Sequence, residues 1–399
     1  MQKYSKIPLS YDELTSFKCL LNAHMVARAN KKHKKDVIDF ELDLAKNLVE
    51  LEKSLKDKTY VVSGYKKFLI FEPKRREIQA LEYRDRIVQH TICDNYLTPY
   101  YKNRLIDCNC ACQENKGAHF ARKKMKSFFD KFYRTNKSNK GYILKCDLKK
   151  FFASIDHQVL KNHLQKLPDK NVVELLYKII DSYNADTGVG LPIGNQTSQI
   201  FGVVLLDKID RIVKEKLRIK FYIRYMDDLI LIHKDKEYLK ICLKVLVEEV
   251  SKMKLQFNEK TQIIPIKNGV EFLGGRFYLL PTGKIIIKPK KQSKQRINKN
   301  LKALKYLFDS EFVEADYVQS SIGGYKGHLK QFNCFHLKQK IKFFMKDVEE
   351  RGKKKEKQRF LQAKKEVNQE LKILRDYEKN KKQKIEQNKK RFIIKKKLK

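Results

Sequence analysis

The sequence predicts an α+β fold, with helices set around an antiparallel sheet and a Lys-rich helical tail at the C-terminus. Three observations carry this expectation. Phe221-Tyr222-Ile223-Arg224-Tyr225 and Leu229-Ile230-Leu231-Ile232 flank Met226-Asp227-Asp228, which reads as two strands joined by an acidic turn. Segments with apolar residues at helical spacing lie on both sides of this unit. Beyond Glu349 the chain is dominated by Lys, Arg, Glu and Gln, with sparse Leu361, Val367, Leu371 and Leu374.

The elements follow in order. Residues from Tyr11 to Lys56 read as helices, with Leu14, Phe17, Leu20 and Leu21 on one face. A strand-like run extends from Tyr60 to Phe71, and a helix from Arg84 to Leu97. Tyr142-Ile143-Leu144-Lys145-Cys146 is a short apolar strand that runs into Asp147. Asp156 is placed to cap a helix over His157–Leu167, and Asn171–Tyr183 forms another. Gly188 to Gly194, punctuated by Gly and Pro, must be a loop, and a long helix is expected from Ser198 to Leu217. After the acidic turn come a helix over Glu237–Met253, a strand near Ile263–Ile266 and another over Phe272–Leu280. Pro281-Thr282-Gly283 closes a hairpin into Lys284–Pro289, and from Gln292 to Asp347 the chain is helical and basic. The tail reads either as a solvated helix or as a basic arm that follows RNA or docks a partner.

Composition narrows the function. The 399 residues carry 89 Lys and Arg against 47 Asp and Glu, a net charge of +42. Such a charge points to a polyanionic partner, nucleic acid first and an anionic membrane second. With 42% hydrophobic residues, wholesale disorder is excluded. The start, Met1 to Lys18, has no apolar signal core, and no uncharged stretch is long enough to span a bilayer, so a cytoplasmic location is expected. Eight cysteines in a chain of this size do not make a disulfide scaffold. Cys108, Cys110 and Cys112 lack the paired spacing of a zinc site and read as reduced thiols.

Chemistry is carried by carboxylates. Asp147 ends a strand, and Asp227 and Asp228 sit on a turn between two others, so all three can converge on one sheet edge. Gathered carboxylates repel and raise one another's pKa unless a cation joins them. A pair of Mg2+ ions relieves that repulsion and can clamp the attacking and leaving oxygens of an in-line phosphoryl displacement. An Asp-Asp pair between strands is by itself an ordinary hairpin turn. The weight comes from several patterns falling in one order.

Taken in that order, the chain resembles a reverse transcriptase. Asp147-Leu148-Lys149-Lys150-Phe151-Phe152 resembles the family's first carboxylate motif, and Tyr225-Met226-Asp227-Asp228 its YxDD box. Pro73-Lys74-Arg75-Arg76-Glu77-Ile78 resembles the basic finger segment. Asn258-Glu259-Lys260-Thr261 and Gly269-Val270-Glu271-Phe272-Leu273-Gly274-Gly275 resemble the late palm motif and the primer grip. The resemblance implies a right-hand polymerase with N-terminal helices and fingers over 1–140, a palm over 141–285 with a finger insertion near 160–200, a helical thumb over 286–348 and the basic tail over 349–399.

It also implies roles. Asp147, Asp227, Asp228 and the Leu148 carbonyl would hold two Mg2+ ions, with Mn2+ as a substitute, and Lys260 would donate a proton to pyrophosphate. Lys74, Arg76 and Gln199 would meet the incoming nucleotide. Phe152 would act as a steric gate against a 2′ hydroxyl. Phe272, Leu273 and Gly274 would grip the primer. The partners implied are an RNA template and primer, deoxynucleotides and the cDNA product.

The loop from Gly190 to Gln199 points to a branch. Its Ile193-Gly194 and Ser198-Gln199 resemble the enzymes of diversity-generating retroelements, as do Arg84-Asp85-Arg86-Ile87-Val88-Gln89-His90 and Lys116-Gly117-Ala118-His119. That group copies a template repeat with frequent errors at adenines, works with a small basic accessory variability protein, and belongs to bacterial or phage-infected cells. Cys108-Asn109-Cys110-Ala111-Cys112-Gln113 and the long tail depart from the group, which keeps two further readings open: a defence-associated or retron-type enzyme, and a non-catalytic, maturase-like RNA-binding protein.

Overall fold

The computed structural model describes residues 7–71 and 75–397. Four helices open the chain: α1 (Tyr11–Thr15), α2 (Phe17–Ala27), α3 (Lys35–Leu42) and α4 (Leu44–Lys56). Ser10 and Glu13 cap α1 reciprocally, satisfying two amides at the helix start. Leu48, Leu51 and Leu55 supply the buried stripe of α4.

A two-stranded antiparallel ribbon follows, β1 (Tyr65–Ile70) with β2 (Arg76–Leu81). The strand expected from Tyr60 thus begins at Tyr65. The reason is Asp85, whose carboxylate accepts the Tyr60 hydroxyl at 2.8 Å and the Ser63 amide at 2.9 Å and gathers that stretch into a loop.

Next come α5 (Tyr83–Ile92), a π-helical turn over Cys93–Leu97, α6 (Thr98–Tyr101) and α7 (Ala118–Asn136). The first strand of the central sheet is β3 (Tyr142–Asp147), followed by α8 (Phe151–Ser154), α9 (His157–Leu164) and α10 (Lys170–Asp181). Asp156 caps α9 as expected, accepting the Val159 amide at 2.9 Å, and Asp169 caps α10 in the same way.

The long helix expected over Ser198–Leu217 is interrupted. It divides into α11 (Gln196–Leu205), α12 (Asp207–Arg211) and a π-helical turn over Ile212–Lys216, with the break at Leu206. The restart sets the wholly buried Asp210 against Arg224 of the next strand.

That strand is β4 (Phe221–Tyr225), paired with β5 (Asp228–His233), after which come α13 (Lys236–Lys252) and β6 (Gln262–Pro265). The sheet order is β4-β5-β3-β6, antiparallel throughout. One face carries Leu144, Cys146, Tyr222, Leu229 and Leu231 into a core shared with Leu239, Cys242 and Leu246 of α13. Strand alternation puts Asp147, Asp228 and Tyr225 on the opposite face.

A second sheet consists of β7 (Val270–Phe272), β8 (Gly275–Leu279) and β9 (Ile285–Pro289). The single strand expected over Phe272–Leu280 is two strands. Leu273 (φ 44°) and Gly274 (φ 81°) make a two-residue turn with both residues left-handed, the geometry that matches the twist of a tight hairpin.

The chain divides into two compact units, the first ending at Ile286 and the second beginning at Ile287. The second contains α14 (Lys291–Asp309), α15 (Ala315–Leu329) and α16 (Phe335–Lys397) around its own core of Leu301, Phe308, Ile322 and Ile341. α16 runs unbroken through residue 349. A Cβ on Gly352 would stand 2.7 Å from that of Ala315, so the glycine permits the close approach of α15 and α16. No helix among the described residues is long and apolar enough to cross a membrane.

Candidate active site

Register brings the acidic residues together. Asp147, the last residue of β3, lies directly opposite Asp228, the first of β5, and Tyr225 opposes Asp228 from the other side. Met226 and Asp227 are therefore the two central residues of the β4–β5 hairpin. Met226 is left-handed (φ 55°), a conformation that costs a non-glycine residue energy.

What holds this turn is a buried cation. The Arg224 Nη1 donates to the Met226 carbonyl at 3.1 Å, and Nη2 to the Val203 carbonyl at 3.0 Å. Nε and Nη2 meet the two Asp210 oxygens at 2.7 and 2.6 Å, and the Tyr222 hydroxyl adds a third bond to Asp210 at 2.6 Å. Both charged side chains are fully buried, so the pair depends on this complete set of bonds. Sequence reasoning missed the clamp. Its one signal is a charged residue inside an otherwise apolar strand.

Asp147 is fixed differently. The segment over 256–258 pairs beside it, with the Asn258 amide donating to the Asp147 carbonyl and the Lys149 amide to the Gln256 carbonyl, both at 2.8 Å. Alternation turns the Leu148 carbonyl to the other side. The Asn258 Nδ2 donates to the Asp147 Oδ2, while Asn258 Oδ1 accepts the Lys260 amide at 2.8 Å. Burial pushes the Asp227 carboxyl above its usual range, and the Asp147 charge adds to this; Arg76 and Arg224 act against it. Lys145 stands two residues before Asp147 on the same face. Its ammonium lies 3.7 Å from the Asp228 Oδ2 and donates to the Glu271 carbonyl at 2.7 Å.

The other expected site residues are placed as follows. Arg76 begins β2 and is exposed, near enough to Asp227 to favour its ionised form. Lys74 lies outside the described residues. The Phe152 ring, half-buried, packs 5.3 Å from that of Phe151. Both rings lean on Gly202 of α11, where a Cβ would stand 2.9 Å from the Phe151 ring and 3.3 Å from the Phe152 ring. Ile193 is exposed, and Gly194 (φ 122°) passes 3.4 Å, measured from an ideal Cβ, from Ile78 of β2. Gln199 is exposed on α11, and its Oε1 accepts from the Cys112 thiol at 3.7 Å. That thiol is also 3.8 Å from the Met226 sulfur, which brings Cys112 to the β4–β5 turn.

Lys260 is exposed beside the Asn258 turn. Phe272 is buried, and the Leu273 carbonyl accepts the Arg122 guanidinium at 2.9 Å. Behind the Ile193 loop, the Gln196 amide donates to Gln89 Oε1 at 3.1 Å and Gln196 Nε2 to Asp94 Oδ1 at 2.6 Å. These bonds tie α11 to α5 and to the π-helical turn that follows α5. Among the described residues no three His, Cys, Asp or Glu side chains stand close enough together to form a ready-made metal cage.

This arrangement defines a class: a mixed helix-and-sheet protein with two acidic strand ends meeting on one antiparallel sheet. The model of the reverse transcriptase (RNA-dependent DNA polymerase) family matches residues 73–277, just over half of the chain, and the chain belongs to that family.

Among curated proteins, a COX1/OXI3 intron 2 protein of Saccharomyces cerevisiae is 33% identical over 89 residues, which is 20% of this chain and 10% of that protein. The match thus spans about a tenth of the yeast protein. Among solved structures, apo telomerase from Candida tropicalis is similar at a TM-score of 0.44 and 16% identity, covering 58% of this chain and 49% of that one. Telomerase from Candida albicans, solved with a fragment of telomeric RNA, is similar at 0.46 and 13%, covering 73% and 55%.

Proposed function

We propose that this chain is an RNA-directed DNA polymerase that extends a primer with deoxynucleotides along an RNA template. The observation that carries the reading is the register that sets Asp147 opposite Asp228, with Asp227 on the adjoining turn. The donor set suits a hard divalent cation, because it is made of carboxylate oxygens. Burial first, and the Asp147 charge after it, raise the Asp227 pKa, and a cation bound beside it would favour the ionised carboxylate. Asp147, Asp227 and the Leu148 carbonyl would hold Mg2+, with Asp228 in support beside Lys145. Bound there, the ions would supply activation of the primer hydroxyl and neutralisation of the departing pyrophosphate.

The chain's own residues supply the positioning on which phosphoryl transfer mostly depends. Arg224 holds the turn that presents Asp227. Phe152, resting on Gly202, forms a flat floor where the sugar of a nucleotide would lie. Lys74 and Arg76 would meet the triphosphate, Arg as a fork and Lys as a point charge. Leu273, anchored by Arg122, offers a turn to the primer strand.

The test is incorporation of deoxynucleotides on a primed RNA template with Mg2+. Asp227→Asn should abolish it and leave RNA binding intact, and a variant that polymerises normally would overturn the metal assignment.

Within this class we read the chain as an error-prone enzyme of a diversity-generating retroelement, working with a small basic accessory protein. Exposed Ile193 supports this, since an aliphatic side chain cannot hydrogen-bond a template base as glutamine can. Ile193→Gln should reduce misincorporation opposite template adenines in sequenced cDNA, and an unchanged error spectrum would end the idea. A second reading, with which the yeast intron-protein match is consistent, is a maturase-like RNA-binding protein that does not polymerise. Absence of incorporation by the wild-type chain on any primed RNA, with RNA binding kept, would select it.

A further inference from the structure

Asn258 was met above as part of a turn, yet its amide is arranged for more than a turn. Its Oδ1 is committed to the Lys260 amide at 2.8 Å. That bond fixes which way the carboxamide faces, because exchanging N and O would place two donors against each other. The Nδ2 is thereby forced toward Asp147, where it donates to Oδ2. The Asn258 main chain is held as well, its amide donating to the Asp147 carbonyl at 2.8 Å and its carbonyl accepting the Thr261 amide at 3.1 Å. One residue thus grips both the backbone and the side chain of Asp147. Its own orientation is set by a turn that does not involve the carboxylates.

A carboxylate at a strand end is otherwise free to rotate about χ1 and χ2, and each rotamer aims its oxygens differently. A neutral donor on Oδ2 removes that freedom and leaves Oδ1, with its lone pairs, for a ligand. The neutrality matters, because a cation on Asp147 would compete with a metal, whereas a carboxamide adds no charge beside Asp227 and Asp228. Partners of this kind, behind a ligating group, typically change metal affinity or activity by about 10–100-fold when removed.

We infer that Asn258 is a positioning residue for the polymerase reaction, orienting Asp147 toward a divalent cation. The inference rests on the function proposed above.

Asparagine and aspartate are equally good at closing this kind of turn, since each offers an oxygen to the amide two residues on. They differ in what the second side-chain atom does: Asn258 donates to Asp147, whereas aspartate would oppose it with an acceptor. Asn258→Asp therefore keeps the turn and deletes the function. Asn258→Ser keeps a turn-closing oxygen, adds no charge and is too short to reach Asp147.

Both variants of the full chain should lower kcat at least tenfold. Their dissociation constant for a primer–template hybrid and their thermal midpoint should stay close to wild type. Mn2+ binding to the complex with a dideoxy-terminated primer–template, followed by electron paramagnetic resonance, should weaken by a similar factor. Wild-type kcat and Mn2+ affinity in either variant would reduce Asn258 to a turn residue and overturn the inference.

Asp227→Asn, measured beside them, separates the two levels. If it is inactive while Asn258→Asp is active, only the inference fails. If Asp227→Asn is itself active, the catalytic assignment fails, and weakened Mn2+ binding by the Asn258 variants no longer supports it.

Discussion

Arg224 is the one charged side chain in β4, and it has no access to solvent. It closes a circuit that runs from Asp210 through the guanidinium to the Met226 carbonyl. Arg224→Met should destabilise the protein by about 3–5 kcal/mol, because the Asp210 carboxylate stays buried without its cation. Urea unfolding measures this. Adding Asp210→Leu should recover much of the loss, and an equally unstable double variant would show that the pair was not the cause.

At this scale the three carboxylates were legible in the sequence because Asp147 and Asp228 sit at strand ends and Asp227 in the tight turn between strands, where alternation leaves little freedom. The Arg224–Asp210 pair was not. Asp210 lies on a helix 14 residues upstream, and nothing in the spacing says that helix and strand will meet. Asn258 was visible only as part of a motif, since a hydrogen bond to Asp147 across 111 residues is a tertiary fact.

The elements show why local pattern reads some boundaries and misreads others. Asp156 and Asp169 cap their helices as a short acidic side chain before an apolar run should. The interrupted helix around Leu206 reads in sequence as one continuous apolar run. Likewise the β7–β8 turn hides in Leu273-Gly274, where leucine adopts a conformation it rarely takes.

Helix α11 also serves the site through what it lacks. Gly202 leaves room for Phe151 and Phe152, and any side chain there must push the rings outward. Gly202→Ala should therefore lift Phe152 into the space proposed for the sugar. Overpacking of this kind costs about 1–3 kcal/mol of stability, and the displaced ring should raise the KM for a deoxynucleotide. Steady-state titration of a single dNTP reads this directly, and an unchanged KM would mean that Phe152 does not border the nucleotide.

Over the whole molecule, charge dominates. The 89 Lys and Arg outnumber the 47 Asp and Glu, so a net +42 remains after every possible internal pairing. Part of the second unit spends its cations on itself. Asp309, Glu311 and Glu314 pair with Arg351, Lys355 and Arg359 at 2.7, 2.8 and 2.7 Å, a ladder along one face of α16 that ties residues 351–359 to the end of α14 and the α14–α15 connection. Because these pairs are exposed, they orient the helix more than they stabilise it. Many other lysines are exposed. Affinity for an RNA–DNA hybrid should fall steeply with salt, by about 10³-fold between 50 and 200 mM if some six or more phosphates are contacted. Fluorescence anisotropy across that range tests this, and a flat profile would remove nucleic-acid backbone binding as the purpose of the charge.

By itself the sequence determined the element types, the acidic strand ends and the excess of positive charge. Each depends on neighbours a few residues away or on a sum over the chain, and none of the three needs the fold to be known. Only the tertiary structure decided how the carboxylates are held: Arg224 beneath the turn, Asn258 against Asp147 and Gly202 under the Phe152 ring. Those contacts join residues far apart in the chain. Their energies come from burial and hydrogen-bond geometry, which do not exist until the sheet and its helices have packed.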